Sequence, residues 1–156
     1  MKVGEKGLAL IKESEGLRLK AYKCPAGVWS IGYGTTKGVT PGMEISESRA
    51  VALLKQDLRV AETYLNSLCI NFSQNQFDAL ASWIYNLGVG SFSKSTLRKK
   101  IVAKADDEAI TDEIVKWVNA GGKPLIGLKR RRVKEANLFL GKERYKVDVF
   151  GNIVKR

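Results

Sequence analysis

A glutamate, a cysteine and a serine lie close together in the stretch EGLRLKAYKCPAGVWSIGYGT, residues 15–35. Glu15 precedes Cys24 by nine positions, and Cys24 precedes Ser30 by six. A carboxyl can act as a general acid, a thiolate can supply negative charge or attack a carbon, and a hydroxyl can donate a hydrogen bond. The residue types and their spacing therefore predict an acid–base site in which the three side chains share one side of a cleft.

Glu15 is placed to be the acid of that site. Leu8, Ile11 and Glu15 follow helical spacing, so the carboxyl extends an apolar stripe and is partly desolvated. It also ends the helix predicted over residues 4–14, where the helix dipole disfavours negative charge. Both effects favour the protonated carboxyl. On position alone, the alternative interpretation is an ordinary helix-end residue that pairs with an arginine.

The composition restricts the chemistry further. With no histidine among 156 residues, a histidine-based triad and a histidine-ligated metal site are excluded, and we expect neither a metal nor an organic cofactor. Two cysteines, Cys24 and Cys69, do not make a disulfide scaffold, although a single bridge between them stays open. The net charge of +11 predicts attraction to polyanions, which include nucleic acid, acidic lipid and bacterial wall polymers.

The elements that must position these residues follow from periodicity and turn signals. Alternation in LRLKAY and VWSIGYG, around the turn CPAG at 24–27, predicts a β-hairpin with a third short strand near 37–40. A helix over about 47–67 is indicated by leucines and alanines at three-to-four spacing, with Ser46 as its cap.

Helical patterns continue through the second half of the chain. Ser73 and Gln76 predict a capping box for a helix that Gly88 ends. Three further helices are predicted near residues 95–104, 107–118 and 127–140, with a loop at 119–124 before the last of them.

The predicted fold class is therefore α+β within a single domain. It comprises an N-terminal helix-plus-hairpin lobe over 1–45, a connecting helix over 46–68, and a helical lobe over 69–156. No apolar run approaches the ~18 residues of a membrane span, and the first residues lack the long apolar core of a signal peptide. We therefore expect no stable membrane insertion and a release route supplied by another component.

The stretch over residues 15–35 resembles the catalytic segment of the phage-type lysozymes, the tailed-phage endolysins of glycoside hydrolase family 24. That family carries a glutamate, eight residues, an aspartate or cysteine, five residues, and a threonine. Glu15 and Cys24 fit this pattern, and Ser30 stands at the threonine position. The family often has a histidine where this chain has Thr35, so a histidine–carboxylate pair with Asp57 is absent.

The segment NQFDALASWIYNLGVGSF, residues 75–92, resembles the family's helix through the second lobe. The resemblance implies that Tyr85 and Asn86 line the sugar cleft. On the residues alone, core packing and helix capping are equally good interpretations of this pair.

The segment GLKRRRVKEANLFLG, residues 127–141, resembles the arginine-rich closing helix of the same family. The resemblance implies that Arg131, or Arg132 if the register shifts by one, approaches the catalytic glutamate. Without it, a basic surface or a nucleic-acid patch would be the preferred interpretation of the run KRRR.

The resemblance implies a lysozyme-like fold and an endolysin: a muramidase that hydrolyses the β-1,4 bond between N-acetylmuramic acid and N-acetylglucosamine and lyses the host cell. Glu15 would protonate the leaving oxygen, Cys24 would supply negative charge or position water, and Ser30 would support it. The expected partner is peptidoglycan, with no specific nucleic acid, and the expected state is a monomer. The expected location is the host cytoplasm until release, through a holin, to the periplasm or wall.

Two alternatives remain open at this stage. A lytic transglycosylase cleaves the same bond with one catalytic acid and no attacking water. A basic nucleic-acid-binding protein is the more distant alternative, and it is supported by the charge alone.

Overall fold

The computed structural model describes all 156 residues and contains eight helices and three two-stranded antiparallel sheets. The chain forms two compact units, which we call the hairpin unit (residues 11–60) and the helical unit (residues 1–10 and 61–156). The helices are α1 (Glu5–Glu15), α2 (Glu47–Asp57), α3 (Arg59–Ser67), α4 (Gln74–Leu87), α5 (Val89–Lys94), α6 (Thr96–Val102), α7 (Asp107–Ile114) and α8 (Ile126–Leu140). The strands are β1 (Arg18–Lys23), β2 (Trp29–Gly32), β3 (Asn119–Ala120), β4 (Lys123–Pro124), β5 (Tyr145–Val147) and β6 (Ile153–Lys155).

The hairpin predicted from the alternating pattern is present as β1 and β2. Tyr22 pairs with Ser30, and the register shifts between Tyr22 and Arg18. The third segment lies farther along the chain than the predicted 37–40: the backbone N–H of Ala21 donates to the carbonyl of Met43 at 2.9 Å. Residues 37–38 and 41–42 instead form turns, in which Gly38 and Gly42 adopt positive φ angles that side-chain-bearing residues rarely adopt.

The core of the hairpin unit forms where α2 packs against β2. Ser46 caps α2 as predicted, since its hydroxyl accepts a hydrogen bond of 3.1 Å from the N–H of Arg49. Ile31 of β2 and Leu54 of α2 are fully buried. Burial of such aliphatic side chains stabilises a fold by about 1.5–3 kcal/mol each, so this contact holds the hairpin on the helix.

The helix predicted over 47–67 is divided into α2 and α3 at Leu58. The N–H of Leu58 still donates to the carbonyl of Leu54 at 2.9 Å, but its ψ of −15° departs from the usual helical value of about −42°. No glycine or proline marks the position. The side chain of Leu58 is buried.

The amino terminus of α1 is capped by a carboxylate from α4. The backbone N–H groups of Gly4 and Gly7 donate to the two oxygens of Asp78 at 2.9 and 3.1 Å. A negative charge at this end of a helix is favourable because the first N–H groups have no partner within the helix. A Cβ atom at Gly7 would lie only 2.8 Å from the Asp78 side chain, so this approach requires glycine.

The core of the helical unit is built around α4. Ser73 and Gln76 form the predicted capping box, and Gly88 follows the helix with φ of 90°. Trp83 is fully buried and packs edge-on against Phe92, with 5.7 Å between ring centroids. α8 lies against α4, α7 and β5, so the closing helix is part of this core.

Several elements of the helical unit differ from the sequence-based expectation. The helix predicted over 107–118 ends at Ile114, and the predicted loop at 119–124 is the short hairpin β3–β4. The short helix α5 and the carboxy-terminal hairpin β5–β6 were not predicted. No helix combines the length and the apolar character that a membrane crossing requires.

Candidate active site

Glu15 is the last residue of α1, and its side chain is partly buried. Gly16 ends the helix by adopting a φ of 73°, and its N–H donates to the carbonyl of Lys12 at 2.9 Å. The ammonium group of Lys12 lies 5.8 Å from the ring centroid of Tyr33, just beyond β2. The end of α1 that carries the glutamate is thus attached to the hairpin within its own unit.

Ser30 lies in the middle of β2 and is almost completely buried, opposite Tyr22 of β1. Cys24 opens the turn of the hairpin. Its N–H donates to the carbonyl of Val28 at 2.9 Å, and its carbonyl accepts from the N–H of Gly27 at 2.8 Å, so the turn is closed by two backbone hydrogen bonds. The position of the thiol is therefore set by an ordered turn.

Cys24 is half-buried and Cys69 is exposed, and both are free thiols. The bridge that the sequence left open is not formed. The hairpin unit thus carries three candidate catalytic groups: the carboxyl of Glu15, the thiol of Cys24 and the hydroxyl of Ser30.

A hydrogen-bonded pair lies directly beyond Ser30. Ile31 and Thr35 exchange two backbone hydrogen bonds of 2.9 Å, and the hydroxyl of the buried Thr35 donates to Oδ2 of Asp57 at 2.6 Å. Burial raises the pKa of Asp57, while the Thr35 hydrogen bond and the charge of Lys37 oppose that shift. Thr35 stands where the family often has histidine, so a hydroxyl takes the place of the absent imidazole as the partner of this carboxylate.

The closing helix contains a buried ionic cluster centred on Glu135. Its Oε1 accepts from Nη1 of Arg132 at 2.6 Å, and its Oε2 accepts from Nε of Arg131 at 3.3 Å and from the hydroxyl of Ser82 at 2.6 Å. Complete burial raises the pKa of Glu135, and the two guanidinium groups and the Ser82 hydroxyl oppose that shift. The cluster ties α8 to α4 and fixes the direction of both arginines.

The two arginines have different contacts on α4. Nη2 of Arg131 donates to the backbone carbonyl of Ser82 at 3.1 Å, whereas Nη2 of Arg132 donates to Oδ1 of Asn86. Within the helical unit, Asn86 therefore contacts Arg132. Arg131 is the first of the two predicted arginines, and Arg132 is only the alternative. Tyr85 is half-buried in the last turn of α4.

Glu135 and Ser82 were missed by the sequence analysis. The signal for Glu135 was available, because positions three and four residues apart on a helix are neighbours and Glu135 follows the two arginines at that spacing. Ser82 is 53 positions away from Glu135 in the sequence, and no local pattern connects them. No group of three or more acidic or cysteine side chains is arranged to hold a metal ion.

The phage lysozyme family model matches residues 12–135 of the chain. The chain belongs to the phage lysozyme family. It is thus a lysozyme-type glycoside hydrolase, an endolysin whose substrate is peptidoglycan. The matched span contains all six predicted site residues of this lysozyme, which are Glu15, Cys24, Ser30, Tyr85, Asn86 and Arg131.

Sequence and structure comparisons support this family membership over about nine-tenths of the lysozyme. The endolysin of Acyrthosiphon pisum secondary endosymbiont phage 1 is 42% identical over 144 residues, covering 89% of this chain and 98% of that protein. A crystal structure of phage P22 lysozyme superposes with a TM-score of 0.81 at 38% identity, covering 90% of this chain and 99% of that one. The muramidase domain of SpmX from Asticaccaulis excentricus gives a TM-score of 0.81 at 35% identity, covering 89% and 97%.

Proposed function

We propose that Glu15 is the general acid with which this endolysin cleaves the β-1,4 bond between N-acetylmuramic acid and N-acetylglucosamine. The proposal is supported by the resemblance of the stretch that Glu15 begins to the family's catalytic segment, by the family match over residues 12–135, and by the partly buried position of Glu15 at the end of α1. A carboxyl is a common general acid in enzymes, and the end of α1 holds this one beside the hairpin.

The proposed reaction begins with transfer of the Glu15 proton to the leaving glycosidic oxygen. The bond between that oxygen and the anomeric carbon of the muramic acid breaks, and positive charge develops on the sugar ring. Water then adds to the anomeric carbon and loses a proton, which leaves a reducing muramic acid end, and the Glu15 carboxylate takes up a proton for the next cycle. A general acid contributes about 10²–10⁴-fold to the rate of such a reaction. Removal of the transferable proton of Glu15 should therefore abolish nearly all of the cleavage activity.

Cys24 is proposed to face the positive charge that develops on the sugar. As a thiolate it supplies the negative charge that an aspartate supplies in other members, or it positions the attacking water. Ser30 is the proposed hydrogen-bond partner in this step. Its support is the register of the hairpin, in which Ser30 pairs with Tyr22, two positions before Cys24, and is held in the buried strand β2.

Tyr85, Asn86 and Arg131 are proposed to contribute to substrate binding. The support for Asn86 and Arg131 is their attachment to the Glu135 cluster, directly for Arg131 and through Arg132 for Asn86. Groups held by buried hydrogen bonds lose little freedom when a ligand binds, which favours binding. Tyr85 offers a ring and a hydroxyl, a combination suited to contact with a sugar.

We further propose that the enzyme acts as a monomer, without stable membrane insertion, and waits in the host cytoplasm until a holin releases it to the periplasm or wall. The family's lytic role supports this route, since a wall-degrading enzyme made inside the cell must reach its substrate at a set time. Deletion of the holin gene in a lysogen that expresses the enzyme should abolish lysis, and addition of chloroform should restore it.

Mass spectrometry of the products tests the proposed reaction directly. Purified peptidoglycan digested to completion should give muropeptides with reducing muramic acid ends, each heavier by one water than the corresponding anhydro product. A lytic transglycosylase forms the 1,6-anhydro ring instead. Anhydro products as the main species would contradict hydrolysis, while unchanged peptidoglycan would contradict the cleavage itself.

A further inference from the structure

The turn of the carboxy-terminal hairpin β5–β6 carries two apolar side chains that are exposed to solvent. Val149 is 94% exposed and Phe150 is 85% exposed, and the next most exposed large apolar residue, Val60, is 64% exposed. Folding normally removes such side chains from water, and exposed apolar clusters mark interaction sites. The established activity assigns no role to this turn.

The turn is ordered. Oδ1 of Asp148 accepts from the N–H groups of Phe150 and Asn152 at 3.0 and 2.8 Å, and the N–H of Asp148 donates to the carbonyl of Asn152 at 2.9 Å. The ammonium group of Lys129 donates to the carbonyl of Gly151 at 2.6 Å, which fixes the turn to α8. The hydrogen-bonded turn therefore holds the two apolar side chains in a defined position.

Two more exposed apolar side chains lie beside this turn, at the start of α8. A Cβ atom placed on Gly151 would lie 3.6 Å from Cδ1 of Ile126, so the turn packs next to that residue. Leu125 and Ile126 are both about half exposed. We call the four residues Leu125, Ile126, Val149 and Phe150 the apolar tip.

A strongly basic cavity of about 710 Å³ lies along the same hairpin and α8. Its lining contains six cationic side chains and one carboxylate, that of Glu143, which gives a net charge of +5. Glu143 lies 3.8 Å from the guanidinium of Arg156. Four of the cationic side chains form no ion pair in the structure: Lys6, Arg130, Lys142 and Lys146.

The apolar tip and the basic cavity are joined by one strand. Tyr145, Lys146 and Val147 of β5 line the cavity, and the chain then continues into the turn. Three residues of fully extended chain span at most about 10 Å, so the backbone of Val149 lies within about 10 Å of that of Lys146. That separation is close to the Debye length at physiological ionic strength, so a surface touched by the tip feels the charge of the cavity.

The combination of the two features favours a lipid surface over nucleic acid. Bases of single-stranded nucleic acid stack on aromatic rings, but the ring that lines the cavity, Tyr145, is buried, and three of the four tip residues are aliphatic. At a bilayer surface, aliphatic and aromatic side chains enter the boundary between headgroups and acyl chains, while cations contact the lipid phosphates.

We propose that the apolar tip and the basic cavity adsorb the protein reversibly on bilayers rich in anionic phospholipid, without spanning them. Phe150 and Val149 enter the headgroup boundary, and Lys142 and Lys146 contact lipid phosphates. This inference goes beyond the proposed function, because a phospholipid bilayer contains no glycosidic substrate. Its test therefore does not depend on the assignment of Glu15.

The experiment measures binding to sedimented vesicles of phosphatidylglycerol and phosphatidylcholine, and to vesicles of phosphatidylcholine alone. The tip variant V149S/F150S is compared with V60S/V102S, a control that removes two other exposed apolar side chains. The cavity variant K142Q/K146Q is compared with K94Q/K99Q, which lowers the net charge equally at exposed positions outside the cavity. Circular dichroism melting shows whether each variant is folded.

We expect the wild-type protein to bind the mixed vesicles. It should bind vesicles of phosphatidylcholine alone at least tenfold more weakly. The tip variant should bind the mixed vesicles at least tenfold more weakly than wild type. The cavity variant should lose about fivefold or more for each lysine at low salt. Both controls should bind within about threefold of wild type.

Three results would overturn the proposal. One is a tip variant that binds the vesicles like wild type. Another is equal weakening by K142Q/K146Q and K94Q/K99Q, which would mean that net charge alone acts. The third is duplex DNA that binds tightly and loses affinity in the cavity variant while vesicle binding is unchanged, which would assign the cavity to nucleic acid. If V149S/F150S does not fold, Phe150→Gln alone replaces it.

A second measurement locates the turn on the bilayer. Phe150→Trp should show tryptophan quenching by brominated acyl chains beyond that of the three native tryptophans, whereas Val60→Trp should add none. Equal quenching of the two variants would contradict docking through the tip.

Discussion

The hydroxyl of Thr35 donates a 2.6 Å hydrogen bond to Oδ2 of Asp57 and thereby joins the loop after β2 to the last residue of α2. Thr35 also exchanges two backbone hydrogen bonds with Ile31, the neighbour of Ser30. The strand that holds a proposed catalytic hydroxyl is therefore fixed to α2 by a threonine–carboxylate pair. The ionised carboxylate of Asp57 is disfavoured in this pair, because burial raises the pKa of Asp57.

Asp57→Asn should make the stability of the folded lysozyme less dependent on pH. Because its folded-state pKa is raised, Asp57 favours the folded state below about pH 4, and this contribution is lost as the pH rises through the folded pKa. Asparagine stays neutral and can still accept from Thr35, so the variant should gain stability relative to wild type between pH 4 and pH 7. Urea unfolding at both pH values measures this, and a variant that loses stability relative to wild type over that range would contradict the assignment.

Glu135→Gln should strongly destabilise the helical unit. The change leaves two buried guanidinium groups, Arg131 and Arg132, without the carboxylate that accepts from both. Breaking a buried ion pair by removal of one partner costs about 3–5 kcal/mol. The control is Glu143→Gln, which removes an exposed carboxylate near Arg156 and should cost less than about 1 kcal/mol. Equal melting temperatures for the two variants would show that the buried cluster contributes little.

Cys24→Asp should retain substantial lytic activity, because a carboxylate supplies at the hairpin turn the negative charge that the proposal assigns to Cys24. Cys24→Ser should lose far more, because serine stays neutral near pH 7. Lytic rates of both variants are measured beside their melting temperatures, and a thiol reagent should inactivate wild type more slowly when oligosaccharide is saturating. A structural cysteine would give the reverse order, with serine mild and aspartate disruptive through burial of charge. Wild-type activity in Cys24→Ser would end the catalytic interpretation.

The elements predicted well are those whose signals are local. The start of α4 follows from Ser73 and Gln76, three residues apart, and its end follows from Gly88. The hairpin β1–β2 follows from alternation on both sides of a turn. In such segments the residues that decide the structure are neighbours in the sequence, so tertiary packing does not override them.

The elements missed are decided by contacts between distant residues or by surfaces that break the usual patterns. The break at Leu58 has no glycine or proline signal. The hairpin β5–β6 carries an apolar pair, Val149 and Phe150, in its solvent-exposed turn, whereas the residues that signal a turn in a sequence are polar or are glycine and proline.

The candidate site shows the same division. The segment from Glu15 to Ser30 could be proposed from the sequence because a single stretch of chain contains its groups. The Thr35–Asp57 bond joins residues 22 positions apart, and only the folded hairpin unit brings them together. On the residues alone, without the family resemblance, the basic run around Arg131 favours a basic surface or a nucleic-acid patch, whereas the structure buries two of its arginines on Glu135.

The central claim, that Glu15 donates the catalytic proton, is tested most directly by the lytic rate of Glu15→Gln on permeabilised cells, measured beside Glu13→Gln. Glutamine keeps the shape of the side chain and removes the transferable proton, while Glu13 is an exposed glutamate two positions earlier on the same helix. We predict that Glu15→Gln loses about 10²–10⁴-fold of the rate with an unchanged circular dichroism spectrum, and that Glu13→Gln stays within threefold of wild type. A folded Glu15→Gln enzyme that lyses within threefold of wild type would contradict the claim.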